Sequence, residues 1–410
     1  MAPTDTPAAS DTAAAMASDT SAPMASDTAS ASVAGATATT AAAPGTSAPL
    51  ARGPWRTGQT VLDFQLTSPG VGWVHTNLGL WETNDDGGSW ANTTPAHLIV
   101  SKIRGLGALD GNHALLAVLD ILPTTDVFYM WRTVDGGASW SYVALPAVAH
   151  DPVATCDGCI SGNPDAPAYI DYVNATTAFV FFGIHQGTDG MVNHVFETAD
   201  GGATWTARDY TPPDPGLTSP SSLRVQFENS SIGVEEYENV LSTTTTGWGS
   251  FHDVTLAETD WFYPTITFLT PDLWMADLGL DPGTATYRYV FSKDQGRTWT
   301  PRTFAAPPLA DVNSVTATFL GTGTYNVTAG QPITHTGGEL DGPAFTYLTT
   351  DGGNHWTLKG REPFGGSRAT WIDVNHGWSG PNHWAPTGGA GNGKLYTSSN
   401  GGTSWTLITP

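Results

Sequence analysis

The sequence predicts an all-β fold: a seven-bladed β-propeller of four-stranded antiparallel blades, with six blades as the runner-up. Three observations point there. An eight-residue turn motif recurs six times along 410 residues. Its spacing is close to fifty residues, the length of one four-stranded unit. The composition, with 47 glycines, 16 tryptophans and no amphipathic helical stretch of useful length, is one of strands and turns.

The motif reads Ser/Thr-x-Asp-x-Gly-x-Ser/Thr-Trp. It is met in full at Thr83–Trp90, Thr133–Trp140, Thr198–Trp205 and Ser292–Trp299. Two near matches follow. Thr349–Trp356 has His355 at the second hydroxyl position, and Ser398–Trp405 has Asn400 in place of the aspartate. The chemistry is that of a hairpin turn. Asp85, Asp135, Asp200, Asp294 and Asp351, with Asn400, are placed to accept main-chain N–H groups a few residues on and fix an Asx-type turn. The fifth-position glycine supplies the positive φ of a tight connection, and the tryptophan opens the next strand with a large apolar surface. Strand formers flank the motif, as in Val127-Phe128-Tyr129-Met130-Trp131-Arg132 before it and Trp205-Thr206-Ala207-Arg208 after it. Leu78-Gly79-Leu80-Trp81 is a poorer strand because of its glycine.

A second repeat lies upstream of each octet: an apolar strand, a short turn, then a strand often opened by Gly-Trp. Val61–Phe64 leads to Gly72-Trp73, and Trp371–Val374 leads to Gly377-Trp378. Weaker versions at 103–119, 169–183, 223–237, 265–276 and 314–328 bring the strand pairs to seven against six octets. The motif tryptophans stand at 90, 140, 205, 299, 356 and 405, so the interval of 94 between the third and fourth is two repeats of 47. Leu241–Trp248, near its middle, is expected to be a decayed seventh turn. Residues 53–58, including Trp55, are the candidates for pairing with the last blade to close the ring.

The octet resembles the Asp-box, or BNR repeat, of sialidase-like β-propellers. The Asp-Gly-Gly-x-x-Trp form is most similar to propellers grouped with photosystem II assembly factors and to bacterial exported propellers. The resemblance covers residues from about 60 to 410 and implies a box that serves as a structural turn on the blade periphery.

Residues 1–50 hold no lysine, arginine or aromatic residue, and Ala-Ser-Asp-Thr recurs at 9–12, 17–20 and 25–28. Such a segment buries too little apolar surface to offset its ordering entropy. The expected division is therefore a disordered segment over 1–52 and a propeller over 53–410. The first segment lacks the basic and apolar regions of a signal peptide and resembles the spacer that precedes a surface domain. An exported location, extracellular or in the cell envelope, is expected, with the leader not visible in this sequence.

A net charge of −23 with 13% charged residues argues against phosphate backbones. Lysine occurs only at 102, 293, 359 and 394, which argues against anionic membrane surfaces, and no apolar stretch is long enough to span a bilayer. Cys156 and Cys159 form a Cys-x-x-Cys pair without the strand-to-helix context of a redox motif. A small loop disulfide, idle thiols, or half a zinc site with His150 are the readings that remain. The histidines form no metal signature, and no cofactor is expected. Asn92, Asn174, Asn229 and Asn326 begin Asn-x-Ser/Thr sequons, usable only in a glycosylating host.

In a blade with strands a, b, c and d, the a–b and c–d turns share one face, and the b–c and d–a loops share the other. The insertions at 145–168, 184–194 (with His185 and His194), 209–221, 330–343 (His335) and 379–394 (His383, Trp384) all fall in the second set. Loops on a rigid scaffold are where binding resides, so a ligand is expected on that face, over the central channel. Arg104, Arg224 and Arg368 recur near the start of strand a, where guanidinium groups can grip a carboxylate. Glu235, Glu236 and Tyr237 lie in strand b of blade four. The family resemblance gives this set a sialidase-like role, with arginines on the sugar acid and a Tyr–Glu pair as nucleophile. A Phe-Arg-Ile-Pro-like motif and an acid/base aspartate in blade one are missing. Rim arginines paired with acidic surface are the plainer reading. The expected function is a non-catalytic monomer that binds a protein or glycan partner. The alternatives are a sialidase-type glycoside hydrolase and, by family analogy, an assembly factor for a membrane complex.

Overall fold

Seven antiparallel sheets follow one another along the chain in a computed structural model. The structure describes residues 50–55, 57–121, 125–145, 148–149, 168–185, 191–208, 224–237, 240–248, 251–254, 265–270, 273–281, 286–305, 314–321, 323–330, 344–363, 368–380 and 393–408. The chain divides into two units, 1–37 and 38–410, and all of these residues belong to the second.

Blade one comprises Val61–Ser68, Val71–Thr76, Gly79–Thr83 and Trp90–Asn92 as strands a to d. Blade two has Ile103–Ala108, Ala114–Ile121, Thr125–Thr133 and Ser141–Ala144, with Val148–Ala149 adding a second partner for its strand c. Blade three has Ala168–Tyr172, Ala178–His185, Met191–Thr198 and Thr206–Arg208. Blade four has Arg224–Phe227, Gly233–Tyr237, Val240–Thr244 and His252–Val254. Blade five has Thr265–Thr270, Leu273–Asp281, Thr286–Ser292 and Thr300–Ala305. Blade six has Ser314–Gly321, Thr324–Gly330, Ala344–Thr349 and Thr357–Arg361. Blade seven has Arg368–Trp371, Gly377–Gly380, Tyr396–Ser398 and Thr406–Leu407. The fold is thus a seven-bladed propeller of four-stranded sheets. Among the described residues the helical content is one short turn at Val100–Lys102.

The core lies between sheets. Alternate residues of a b strand point to opposite neighbours, and apolar clusters join every neighbouring pair of blades from seven–one through five–six. Trp73, Leu80, Leu106 and Leu116 fill the seam of blades one and two. Phe128 stacks on Phe182 at 3.6 Å between blades two and three, and Phe179 on Phe227 at 4.0 Å between three and four. Burying Trp73, Trp90, Trp274 and Trp378 almost completely contributes on the order of 4 kcal/mol each. The glycine that opens several b strands has a packing cause. A Cβ on Gly377 would meet the Trp371 ring at 2.6 Å, and one on Gly233 would meet Phe227 at 2.6 Å.

The octets close the c–d hairpins as expected, with a hydrogen-bond net that repeats around the ring. In blade two the Thr133 hydroxyl donates to Asp135 Oδ1 at 2.8 Å and accepts the N–H groups of Asp135 and Gly137 at 3.3 and 2.8 Å. The same carboxylate accepts the Ser139 N–H at 2.9 Å and its hydroxyl at 2.6 Å. His355 replaces that hydroxyl in blade six, its Nδ1 lying 2.5 Å from Asp351 Oδ2. Asn400 serves in blade seven by accepting the Ser404 N–H at 2.9 Å and donating to Ser404 Oγ at 2.8 Å. In the six octets the turn has two left-handed residues, the fourth position as well as the fifth. Gly136 and Gly137 have φ of 69° and 80°, while Asp86 and Gln295 adopt 59° and 60° without being glycine.

In six blades the turn between strands c and d also bonds to the a–b turn of its own blade, so the two turns share a face. The fourth-position N–H donates to Gly70 O, Asn112 O, Thr176 O, Ser231 O, Gly323 O and Asn375 O at 2.6–3.0 Å in blades one, two, three, four, six and seven. The fifth position presses on the preceding blade. A Cβ on Gly137 would meet Thr93 at 2.5 Å, and one on Gly402 would meet Thr346 at 2.8 Å.

Blade four keeps its turn in a different frame from the one the spacing suggests. Thr244 pairs with Gly233 as Thr133 does with Ala114, which makes Thr244 the first position, not Leu241. Its hydroxyl donates to Gly247 O at 2.6 Å and accepts the Thr246 N–H at 3.2 Å. Thr246 then stands for the aspartate, Gly247 (φ 68°) for the fourth position, and Phe251 for the tryptophan. Trp248 occupies the fifth position and packs on Phe251 at 5.5 Å and Phe227 at 6.0 Å.

Three further expectations are corrected. Arg52–Gly53 pairs with strand d of blade one and not with the last blade. Arg52 bonds to the carboxylate of the buried Glu82, and Trp55 packs on Trp90 at 4.9 Å. The ring is closed laterally: Asp86 Oδ1 accepts the Thr397 hydroxyl at 2.6 Å and the Trp378 indole N–H at 3.2 Å, and Val61 N–H donates to Gly393 O at 2.8 Å. The described residues of the 184–194 insertion belong to strands b and c, since Ile184 pairs with Val192 and His185 with Met191. Asn326 is 1% exposed within strand b of blade six, which removes it as a glycosylation acceptor.

Candidate functional site

Strand a is the innermost of each blade, and its start points to the face opposite the boxes. Counting back from the residue paired with the first residue of the b-strand repeat, Arg224 and Arg368 hold the same register, opposite Glu236 and Gly380. Arg104 sits one step further on, at a bulge between Ile103 and Gly105. The three positions therefore share one layer at the loop-face end of strand a, in blades two, four and seven. Arg104 Nη1 donates to Ser101 O at 2.8 Å and Ile103 O at 3.1 Å. At Arg224, Arg368, Glu235, Glu236 and Tyr237 the backbone alone is described, and it puts Arg224 directly across from Glu236, with Tyr237 at the hairpin end opposite Val240. Cys156, Cys159, His150, His335, His383 and Trp384 lie outside the described residues.

Two residues on from Arg224 and Arg368 in this register runs a layer that sequence reasoning did not single out. Gln65, Asp171, Gln226, Thr267, Thr318 and Thr370 occupy it in blades one, three, four, five, six and seven, with Gly107 in blade two. All six side chains are half-buried and alternate with apolar neighbours, a polar layer along the innermost strands. Two of them cross to the next blade by the same contact. Gln65 Oε1 accepts the Ala108 N–H and Asp171 Oδ2 accepts the Phe227 N–H, both at 2.7 Å. Desolvation raises the Asp171 carboxyl to about 6, against the lowering effect of the Phe227 N–H. The polar–apolar alternation Ile170-Asp171-Tyr172 was the available signal.

His194 lies on strand c of blade three, half-buried beside Phe182 at 5.7 Å, and burial lowers its imidazole to about 4, so it is neutral at pH 7. The box carboxylates are held for a different purpose. Burial raises Asp85, Asp200 and Asp294, but the hydroxyl and N–H donors of each turn outweigh it and the net shift is downward. The a–b turns repeat this, with Asp110 Oδ1 accepting the Asn112 and His113 N–H groups and Asp373 Oδ1 those of Asn375 and His376. Among the described residues no group of three or more His, Cys, Asp or Glu side chains is placed to hold a metal ion. No described helix is long and apolar enough to cross a membrane.

No protein-family model matches the chain, and no curated protein matches it in sequence. Solved structures match its fold. A GH74 xyloglucanase from Xanthomonas campestris is 13% identical with a TM-score of 0.51, covering 88% of this chain and 56% of its own. An ancestral GH74 enzyme is 12% identical with a TM-score of 0.50, covering 88% and 48%. The chain thus spans about half the length of these enzymes. YCF48 bound to a D1 peptide is 18% identical, covering 85% and 96%, at a TM-score of 0.48. The likeness to the two GH74 enzymes is one of fold.

Proposed function

We propose that the chain is an exported, non-catalytic propeller that binds a protein or glycan partner through the face carrying the b–c hairpins and d–a connections. The observation that carries this reading is the inequality of the two faces. On one, box and a–b turn are bonded to each other blade after blade, which leaves little backbone for a ligand. On the other, strands b and c run to eight and nine residues in blade two but four and three in blade seven. That uneven rim surrounds the layer of Arg104, Arg224 and Arg368, three of few cations in a chain of net charge −23. A partner presenting a carboxylate fits such a rim. The test is a pull-down with the immobilised full chain, followed by titration of the captured partner. Arg224→Ala and Arg368→Ala should weaken binding about tenfold or more, the scale of a lost charge-assisted contact. Asn354→Ala, on the box face, should not. Equal binding by all variants refutes the assignment of the face.

The register opposition of Arg224 and Glu236 favours one second reading, a sialidase-type glycoside hydrolase. A fluorogenic sialoside assay with Arg224→Ala as control decides it. Turnover by the wild type that the variant loses would replace the non-catalytic reading.

A further inference from the structure

Blade two overhangs blade one. Its strands b and c are eight and nine residues long, against six and five in blade one. Leu106, Leu116 and Val118 of the shared flank are buried in the seam with Tyr129 and Trp131 packed against them, and the extra length lies at the b–c end, where Asp120 and Val127 pair beyond the level of Thr76 and Gly79. Tyr142 on strand d, toward the box end and not in this extension, is 51% exposed and lies on Trp131, ring centroids 4.5 Å apart and planes at 29°. Tyr129 meets Tyr142 edge-on at 6.0 Å. The registers Trp131↔Tyr142, Val118↔Tyr129 and Asp120↔Val127 put Tyr142, Tyr129 and Asp120 on one face in successive strands, two residues apart along the chain direction. They form a diagonal strip roughly 17 Å long by strand geometry. Asp120 at its inner end is paired with Lys102, and both are about a third exposed. Ile99, 56% exposed, precedes Lys102 in the same connection.

We propose that this strip binds a neutral polysaccharide chain. A sugar ring offers a C–H face to an aromatic plane and hydroxyls at its edges, and the strip offers the complement. Tyr142 presents an outer plane made rigid by Trp131 beneath it, Tyr129 continues the track, and the Asp120 carboxylate and Lys102 ammonium accept from and donate to hydroxyls at the end. Stacked nucleic-acid bases use aromatic planes too, but the −23 charge repels phosphates and polyanionic glycans alike. An apolar protein surface is a poorer fit, because the strip is narrow and ends on an ion pair where such interfaces have an apolar centre. This site is on the flank of blade two and does not depend on the loop-face reading.

Affinity electrophoresis of the full chain in native gels tests it, with hydroxyethyl cellulose, galactomannan and dextran as neutral probes and polygalacturonate as the anionic one. At least one neutral polysaccharide should retard the chain. Tyr142→Ala should weaken that retardation about tenfold, as truncation of a stacking aromatic does. Tyr142→Phe, which keeps the plane, and Asn354→Ala, on the box face of blade six, should leave it unchanged. Equal melting temperatures would show that the variants are folded. No retardation by any neutral probe, retardation by polygalacturonate alone, or retardation indifferent to Tyr142→Ala would each overturn the proposal. So would a change of oligomeric state on Tyr142→Ala, since the strip would then be a contact between copies.

Discussion

Blades two and four follow one plan and differ at two contacts. In blade two the box carboxylate of Asp135 gathers three donors, and the inner strand is tied to its neighbour by the neutral amide of Gln65. In blade four Thr246 takes the carboxylate's place, and the inner strand is tied to its neighbour by the titratable Asp171. The hairpin survives the first change because the Thr244 hydroxyl, the left-handed Gly247 and an aromatic pair remain. The box is therefore a sum of separable parts, with the left-handed fourth position and the first hydroxyl as its minimum. Blade four is also where Arg224 and Glu236 face each other.

The largest test of this contrast is Gly137→Ala. Its φ is 80° and the added Cβ would come within 2.5 Å of Thr93, so a loss of about 3 kcal/mol is expected in chemical denaturation. Blade four has Trp248 at that position, and Trp248→Ala should instead cost only lost packing, about 2 kcal/mol. Asp135→Ala should cost about 2 kcal/mol, since three donors lose a charged acceptor at a partly exposed turn. A loss below about 0.5 kcal/mol would mean that blade two tolerates the change as blade four does.

Asp171→Asn sharpens the second difference. A carboxyl raised to about 6 from 3.8 makes the native state bind a proton more tightly than the unfolded chain. Its contribution to stability therefore falls as pH rises from about 4 to 6 and stays low above that. Asparagine keeps the acceptor for the Phe227 N–H, as the Gln65 amide does for Ala108, without the charge. The variant should be more stable than wild type by about 1 kcal/mol at pH 8, after allowance for solvent screening at a half-buried group, and equal to it below pH 4. Urea titrations at the two pH values measure this. Thr246→Asp should rebuild the missing net and add about 0.5–1 kcal/mol, and no gain would show that the frame assigned to Thr244–Phe251 is wrong.

The smallest effect is an acid limb of opposite sign. The His355 N–H and imidazole hold Asp351 down to about 2 from 3.8. Its contribution is present above pH 4 and is lost as pH falls toward 2, so His355→Ala should shift the acid-unfolding midpoint slightly upward.

Blade number and box positions were legible because turn chemistry is local: a hydroxyl, an aspartate and a glycine within five residues determine a hairpin wherever they fall. Contacts between blades were not. Asp171 meets Phe227 across 56 residues, and Asp86 meets Thr397 across 311, and no periodicity announces either. The frame in blade four was misjudged because Trp248 carries the expected residue type at the wrong position, and only strand register reveals it. The layer of Arg104, Arg224 and Arg368 was legible as recurrence. Its offset was not, because a bulge at Arg104 moves it one residue without any mark in composition.

The seam between the first and last blades has a practical consequence. Since Asp86, Thr397 and Trp378 join whole sheets, and no described strand is shared across that boundary, the ring has no privileged origin. Circular permutation that cuts a d–a connection elsewhere and links the present ends should yield the same propeller with new termini, provided Arg52 stays connected to blade one.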